Sequence, residues 1–373
     1  MKKIILIIIS FVCLISANSS LKGEWRNSIG ISSYYDQNPF HYSSSQALSF
    51  NSTNLNLGYI FDNSGMSLNF KSNYSLIPSL SNSQLTDNSI IFSYNLPLGS
   101  ETQDNLQLSA QYGLRYNSEI FNTYNNNKFG INAQFNHDFA QAKMLRVGYQ
   151  GSYSNYYNNT DLSYNEHILY LGYKTYFETN TSINTEVDYG YKNLTNNLLS
   201  FAGQRSKNVS AQSLGQIIAN VNVAQSLAEK TGLSIIYSQS WNTSSAYKSM
   251  LNFNPDFIFD KEIYDDNYSY ESREITLKIT QYLPYNIKIQ GYGFYFDKNY
   301  EYNYDFSTDE NIAKRLDIQK GIGGNLEKNF NMDFLFFNNL KATLNYLYTI
   351  NNSNSDIFNY RSNAVNLGIN LDF

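Results

Sequence analysis

The strongest constraint on this chain is a period of two that recurs from near its start to its last residue. Over 105–117 the even positions read Leu106, Leu108, Ala110, Tyr112, Leu114 and Tyr116, and the odd positions read Asn105, Gln107, Ser109, Gln111, Gly113, Arg115 and Asn117. Successive side chains of a strand point to opposite faces, so the pattern describes a strand with one apolar and one wet face. The same alternation runs through Met66, Leu68, Phe70, Tyr74 and Leu76, through Leu145, Val147, Tyr149 and Tyr153, and through Ile183, Val187, Tyr189 and Tyr191. It returns at Leu340, Ala342, Leu344, Tyr346 and Tyr348. Strands of soluble proteins usually run about five or six residues, and strands that cross a bilayer about nine to eleven. The length of these runs predicts crossing strands.

Connections alternate between short and long. Short turns rich in Gly, Asn, Ser and Pro fall at 62–65, 98–101, 140–143, 179–182, 228–231, 283–286 and 329–332. Longer polar stretches lie near 36–46, 78–87, 118–127, 157–164, 195–209, 243–265, 298–314 and 350–361. These residues supply the backbone angles and local hydrogen bonds of a reversal. Such spacing predicts sixteen strands: 22–35, 47–61, 66–77, 88–96, 105–117, 128–139, 143–156, 165–178, 183–194, 210–226, 232–242, 266–282, 287–297, 315–328, 333–348 and 362–373. In 47–61, 88–96 and 287–297 the apolar parity drifts or the run is short, and losing one hairpin gives the alternative of fourteen. The expected fold is all-β, a transmembrane antiparallel barrel with short periplasmic turns and long extracellular loops.

Beyond Ile15 the chain holds only short apolar runs such as Phe257-Ile258-Phe259, so no helix is expected to span a bilayer. In hydrocarbon every backbone N–H and C=O needs a protein partner, and with helices excluded a closed barrel is the remaining solution. Aromatic residues make up 16% of the chain and charged residues only 15%, which suits a surface that is partly in lipid. Trp25, Tyr35, Tyr59, Tyr153 and Trp241 are expected in aromatic belts at the membrane interfaces. The start, Met1-Lys2-Lys3 followed by an apolar stretch to Ile15 and the small-residue exit Ser16-Ala17, reads as a secretory signal over 1–17. Residues 18–373 are then a single barrel domain. A formal net charge of −5 argues against nucleic acid as partner.

The chain ends Asn366-Leu367-Gly368-Ile369-Asn370-Leu371-Asp372-Phe373, with apolar residues at every second position and a terminal Phe. With the alternation that precedes it, this segment resembles bacterial outer-membrane barrels of the porin-like superfamily, over essentially the whole mature chain. The resemblance implies integral residence in the outer membrane of a diderm bacterium. Its expected partners are outer-membrane lipid and lipopolysaccharide. It also implies that Leu367, Ile369, Leu371 and Phe373 form the signal read by the barrel-assembly machinery. It does not assign a cargo.

On the wet parity lie Glu24, Arg26, Lys71, Arg115, Arg146, Lys174, Glu178, Glu186, Asp188, Lys192, Glu274, Lys278, Lys288, Arg315, Asp317, Glu327, Lys341 and Asp372. Among them Arg26, Lys71, Arg115, Arg146, Lys174, Glu186, Asp188, Lys278, Lys288, Arg315, Asp317 and Lys341 are the pore-lining candidates. Both signs are present, so the lining does not name an anion or a cation channel. These charges either set a transverse field across a water-filled pore or pair between neighbouring strands to hold the barrel's shape. The Asn, Ser, Gln and Tyr around them suit neutral or sugar-like solutes, and also follow from an AT-rich codon bias. Acidic residues cluster in the two longest loops, at Asp256, Asp260, Glu262, Asp265 and Asp266 and at Glu301, Asp305, Asp309 and Glu310, without a calcium-loop spacing. The alternative is that one of these loops folds into the pore, with Phe257 and Tyr264 as anchors. Of the histidines, His41, His137 and His167, only the last sits near an outer strand end, and no nucleophile motif accompanies it. The expected function is passage of small hydrophilic solutes through a mixed-charge polar lumen, with neither enzyme activity nor a cofactor or metal. The alternative is a non-conducting barrel, an export-apparatus component or adhesin, whose long loops bind a partner. Oligomeric state is left open.

Overall fold

A computed structural model describes residues 23–373 apart from 40, 42, 44, 63, 81–82, 100–103, 141, 196–212, 245–265, 301–313 and 335–336. Sixteen antiparallel strands follow one another in chain order, and the first pairs with the last, so the sheet closes on itself. They are β1 Gly23–Asp36, β2 Leu48–Phe61, β3 Met66–Leu76, β4 Leu85–Pro97, β5 Asn105–Asn117, β6 Asn126–Ala140, β7 Lys143–Tyr156 and β8 Tyr164–Phe177. The second half comprises β9 Thr181–Leu194, β10 Ser213–Ala228, β11 Thr231–Asn242, β12 Tyr270–Leu283, β13 Ile287–Tyr300, β14 Leu316–Phe334, β15 Phe337–Ser353 and β16 Tyr360–Asp372. Closure gives every strand two partners and leaves no edge of unpaired backbone groups. The fourteen-strand alternative is thereby excluded.

The register carries the apolar parity unbroken around the circumference. Ile31 faces Ile369, Leu344 faces Leu367, Ile322 faces Tyr348, and Ile235 faces Leu277. These side chains are exposed, Ile31 at 64%, Ile322 at 63% and Leu367 at 54%, so the molecule wears its hydrophobes outside. A belt of exposed Leu, Ile, Val and aromatic residues on one face of a closed sheet is the surface of a protein solvated by lipid. Trp25 and Tyr59 pack edge to face at 4.9 Å near the short-turn end, and Tyr35, Tyr153 and Trp241 stand exposed near the long-loop end.

Several boundaries differ from those read in the sequence. β4 begins at Leu85, not 88, and β13 continues to Tyr300, not 297, because pairing to β5 and β14 outlasts the drift in apolar parity. The turn expected at 329–332 lies inside β14: Asn329, Phe330 and Asn331 pair with Lys341, Leu340 and Asn339. Two asparagines flanking a phenylalanine look like a turn, yet Phe330 stays on the lipid-facing parity and the strand runs on. The reversal after Leu283 stands where expected, with Tyr285 and Asn286 in the left-handed region at φ 64° and 58°.

Candidate functional site: the inner wall of the barrel

The residues opposite in parity to the lipid belt form the inner wall. All strand positions among the pore-lining candidates fall on it by register, and the structure brings most of them into local pairs. Arg115 Nε donates to Asp87 Oδ1 at 2.8 Å on the neighbouring strand. The Lys341 ammonium lies 3.4 Å from Glu327, and Arg26 reaches Glu24 at 3.3 Å. Arg146 binds Glu186 across the intervening strand β8, where Gly172 leaves the space the pair occupies. Tyr170 lies over Gly148, and its hydroxyl donates toward Asn132 and Gln134 at 3.0 Å each. Asp188 faces Tyr170 in register, and Lys174 stands 4.8 Å from the Tyr176 ring.

Two sectors of this wall differ in kind. On β2–β6 there is a recess of ≈ 430 Å³ lined by Asn54, Asn56, Lys71, Asn73, Asp87, Ser89, Gln111, Arg115, Asn126 and Lys128. One register row crosses it from Lys71 through Ser89 and Gly113 to Lys128, so two long cations flank two small residues. A second hollow, ≈ 630 Å³, lies toward the short-turn end between β9 and β13 and includes Asn222, Ser234, Lys278, Thr280, Lys288 and Gln290. By strand order, β4 and β5 stand opposite β12 and β13. There the inner wall is aromatic. Tyr292 lies over Gly323 and Phe294 over Gly321, each ring filling the space a Cβ would take. Lys298, buried, sits 4.8 Å from both the Phe296 and Tyr270 rings. Arg315 donates to Asp317 at 2.9 Å and lies 4.1 Å from the Tyr300 ring and 3.3 Å from that of Phe358. Asp317 is 2% exposed.

Near the long-loop end the residues just before β12, Asp266 to Ser269, lie against the inner wall. Asp266 accepts from the Tyr268 backbone N–H at 3.1 Å and opens a single 3-10 turn, Asn267–Ser269. Its carboxylate meets the buried Lys192 ammonium at 2.7 Å, which also stands 3.9 Å from the Tyr164 ring. Gln216 donates to Asn267 O at 2.6 Å and to Tyr270 O at 3.0 Å, and Tyr268 reaches over Gly190. Burial, then the Glu166 carboxylate beside it, pushes the Tyr268 hydroxyl far above the usual tyrosine range. The turn thus crosses the inner faces of β10 and β11 and docks on β8 and β9. Of the acidic loop residues, only Asp266 belongs to the described ones, and it holds an ion pair. Phe257 and Tyr264, the anchors expected for an inward loop, lie outside the described residues.

Sequence reasoning missed Asp87 and Lys298, because 88–96 and 287–297 were drawn too short, and it passed over Lys128 and Glu166. Each continues the wet parity of its strand, which was the available signal. On the outer face His167 meets the Tyr149 hydroxyl at 2.7 Å, and His137 meets Asp104 at 2.9 Å. Leu367, Ile369 and Leu371 face outward, and Phe373 exchanges backbone bonds with Asn27 at 2.9 and 3.2 Å.

No family model matches this chain, and no curated protein matches it. Among solved structures it is similar to OccAB1 of Acinetobacter baumannii, at 9% identity and a TM-score of 0.53, over 95% of this chain and 99% of that one. It is similar to OccD3 (OpdP) of Pseudomonas aeruginosa at 10% identity and 0.52, over 95% and 94% of the two chains. OpdK of Pseudomonas aeruginosa, solved with vanillate, aligns at 9% identity and 0.51, over 94% and 98%. At such identities the likeness is one of fold alone.

Proposed function

We propose that this protein is an integral outer-membrane pore that passes small hydrophilic solutes through a polar lumen of mixed charge. The observation that carries the reading is where the inner charges spend themselves. The pairs Arg115–Asp87, Lys341–Glu327, Arg26–Glu24, Arg146–Glu186 and Arg315–Asp317 all run along the wall, between neighbouring or next-neighbouring strands or within one strand. None of them reaches across the lumen. A sixteen-stranded barrel generally encloses an aqueous channel, and paired walls leave that channel with a weak preference between ions. The polar recess facing the aromatic sector favours solutes with one flat apolar face and one hydrogen-bonding edge, the character of a sugar ring or of the vanillate held by OpdK.

On this reading residues 1–17 are a cleaved signal, the short turns face the periplasm, and the ending at Leu367, Ile369, Leu371 and Phe373 directs assembly. Reconstitution of the folded chain in planar bilayers tests the pore directly. Uniform conductance steps with little selectivity between potassium and chloride are the expected result. Folded protein that stays electrically silent would transfer the assignment to a partner-binding barrel acting through its long loops.

A further inference from the structure

Among the described strand residues the lipid-facing parity carries few charges, Lys143 and Lys328 toward the short-turn end and Glu271, Arg273, Asp297, Lys320 and Arg361 toward the long-loop end. A register row near the long-loop end runs from Tyr295 to Lys320, Ile350 and Arg361, on β13 to β16. All four are on the outward parity, and Lys320 and Arg361 are exposed. Lys320 is flanked along its own strand by the exposed Ile318 and Ile322, and its ammonium stands 5.6 Å from the Tyr295 ring. Among the described residues neither cation has a carboxylate partner, whereas Arg273, the next outward cation around the barrel, faces Asp297 directly in register. Elsewhere the rim at this end carries uncharged rings, namely Tyr35, Tyr116, Tyr153, Tyr191 and Trp241.

Depth follows from strand geometry. Phe330, beside Leu340, marks the lower part of the apolar belt on β14. From Phe330 to Lys320 the strand advances about 33 Å, which a tilt of about 35–45° turns into about 25 Å, the height of the apolar band of such barrels. Lys320 and Arg361 therefore lie at the upper boundary of the hydrocarbon, level with head groups. A lone cation is costly on the lipid face at mid-membrane and nearly free at the interface, where an anion can meet it. The two cations are separated by the width of β15, about 10 Å, within reach of one another's side-chain tips.

We propose that Lys320 and Arg361 form a binding site for the phosphorylated head group of an outer-leaflet lipid. Arginine grips phosphate through two parallel N–H donors and lysine adds a point charge, while Ile350, Ile318 and Ile322 offer an apolar floor to acyl chains. The site rests on the membrane orientation given above and does not require an open lumen, so a silent bilayer experiment leaves it intact.

The test is binding of bis-phosphorylated lipid A to the full mature chain in detergent micelles, read by native mass spectrometry. K320Q/R361Q is expected to bind about thirtyfold more weakly, roughly fivefold for each cation removed. The charge-preserving K320R/R361K variant stays near the parent, and dephosphorylated lipid A binds as weakly to the parent as lipid A does to the double glutamine. Heat-modifiable mobility on gels verifies that every variant is folded, and the single variants K320Q and R361Q serve if the double one is not. Unchanged lipid A binding by the folded variants would overturn the proposal. Equal binding of the dephosphorylated lipid would overturn it too, as would full displacement by inorganic phosphate at the lipid's concentration. Loss of self-association instead of lipid would reassign the patch to a second copy of this chain.

Discussion

The polar recess of β2–β6 and the aromatic sector of β12–β14 are built on the same outer face and differ entirely within. Both place small residues next to long ones. In the recess, Ser89 and Gly113 lie between Lys71 and Lys128, and the nearest atoms to a Cβ at Gly113 would be 3.7–3.8 Å away, ordinary contact. Opposite, the space above Gly321 and Gly323 is already taken by the Phe294 and Tyr292 rings. At these two positions the aromatic side chain lies along the wall because its neighbour lacks a Cβ. The same residue type thus opens a hollow on one side and seats a ring on the other. Lipid fixes the outward parity everywhere, whereas each inner position answers only to its immediate neighbours.

The ion pairs sharpen the contrast most. Arg315–Asp317 is buried beneath Phe358 and Tyr300, with side chains 7% and 2% exposed, while Arg115–Asp87 is open to the recess at 32% and 49%. Asp317→Ala takes the carboxylate from a buried guanidinium and should cost about 3–5 kcal/mol. Asp87→Ala should cost about 0–1 kcal/mol. Urea unfolding of the two variants in micelles, read by loss of heat-modifiable mobility, compares them. Equal losses would abolish the distinction between the sectors.

Glycine comes next. Gly323→Val drives two methyl groups and a Cβ into the Tyr292 ring and should destabilise by about 1–3 kcal/mol. Gly113→Val should stay within about 0.5 kcal/mol of the parent, as substitutions clear of tight packing do. Adding Tyr292→Ala to Gly323→Val removes the collision, so the pair should show strong non-additivity in a double-mutant cycle. Additive losses would mean that the backbone, not the ring, demands glycine at 323.

How far the sequence disclosed this molecule follows from the same asymmetry. The outward parity is imposed along whole strands, so Leu106 to Tyr116 or Leu340 to Tyr348 announces a crossing strand in any single stretch. Strand count was legible because hairpin reversals carry their own chemistry, as at Tyr285 and Asn286. It misled at Asn329 to Met332, where turn-forming residue types sit on the wet face of a continuing strand. Parity assigns each side chain a face of the sheet, yet it does not name its partner. Arg146 and Glu186 lie forty residues apart and meet only because successive reversals set β7 beside β8 and β8 beside β9. Nor does any local pattern reveal that Tyr268 would cross two strands to rest over Gly190.

For solutes, the aromatic sector is the one to disturb. Tyr292→Ala should shorten the residence of a flat-ring solute in the lumen, read as the duration of current blockades, by about three- to tenfold, the scale of one ring-to-ring contact. Residence of a small acyclic polyol of the same size should stay within a factor of two of the parent, given about the same precision of such contacts. An equal effect on both would reduce the aromatic sector to packing between β13 and β14.

The smallest effect expected concerns charge in the recess. Lys71 has no ion-pair partner among the described residues, so Lys71→Gln removes one cation from the wall without baring an anion. Arg115→Gln removes one cation too, but it also releases Asp87. In a water-filled lumen each charge is screened over about 10 Å at 0.1 M salt and about 30 Å at 0.01 M. The shift of the chloride-to-potassium permeability ratio should therefore stay below about twofold for Lys71→Gln in 0.1 M salt and grow on dilution. Arg115→Gln should move the ratio further toward potassium than Lys71→Gln does, because it unmasks a carboxylate as well. Reversal potentials across a salt gradient measure both. If the two variants shifted selectivity equally, Asp87 would not be held neutralised by Arg115, and the inner charges would act as a field across the lumen instead of as pairs along its wall.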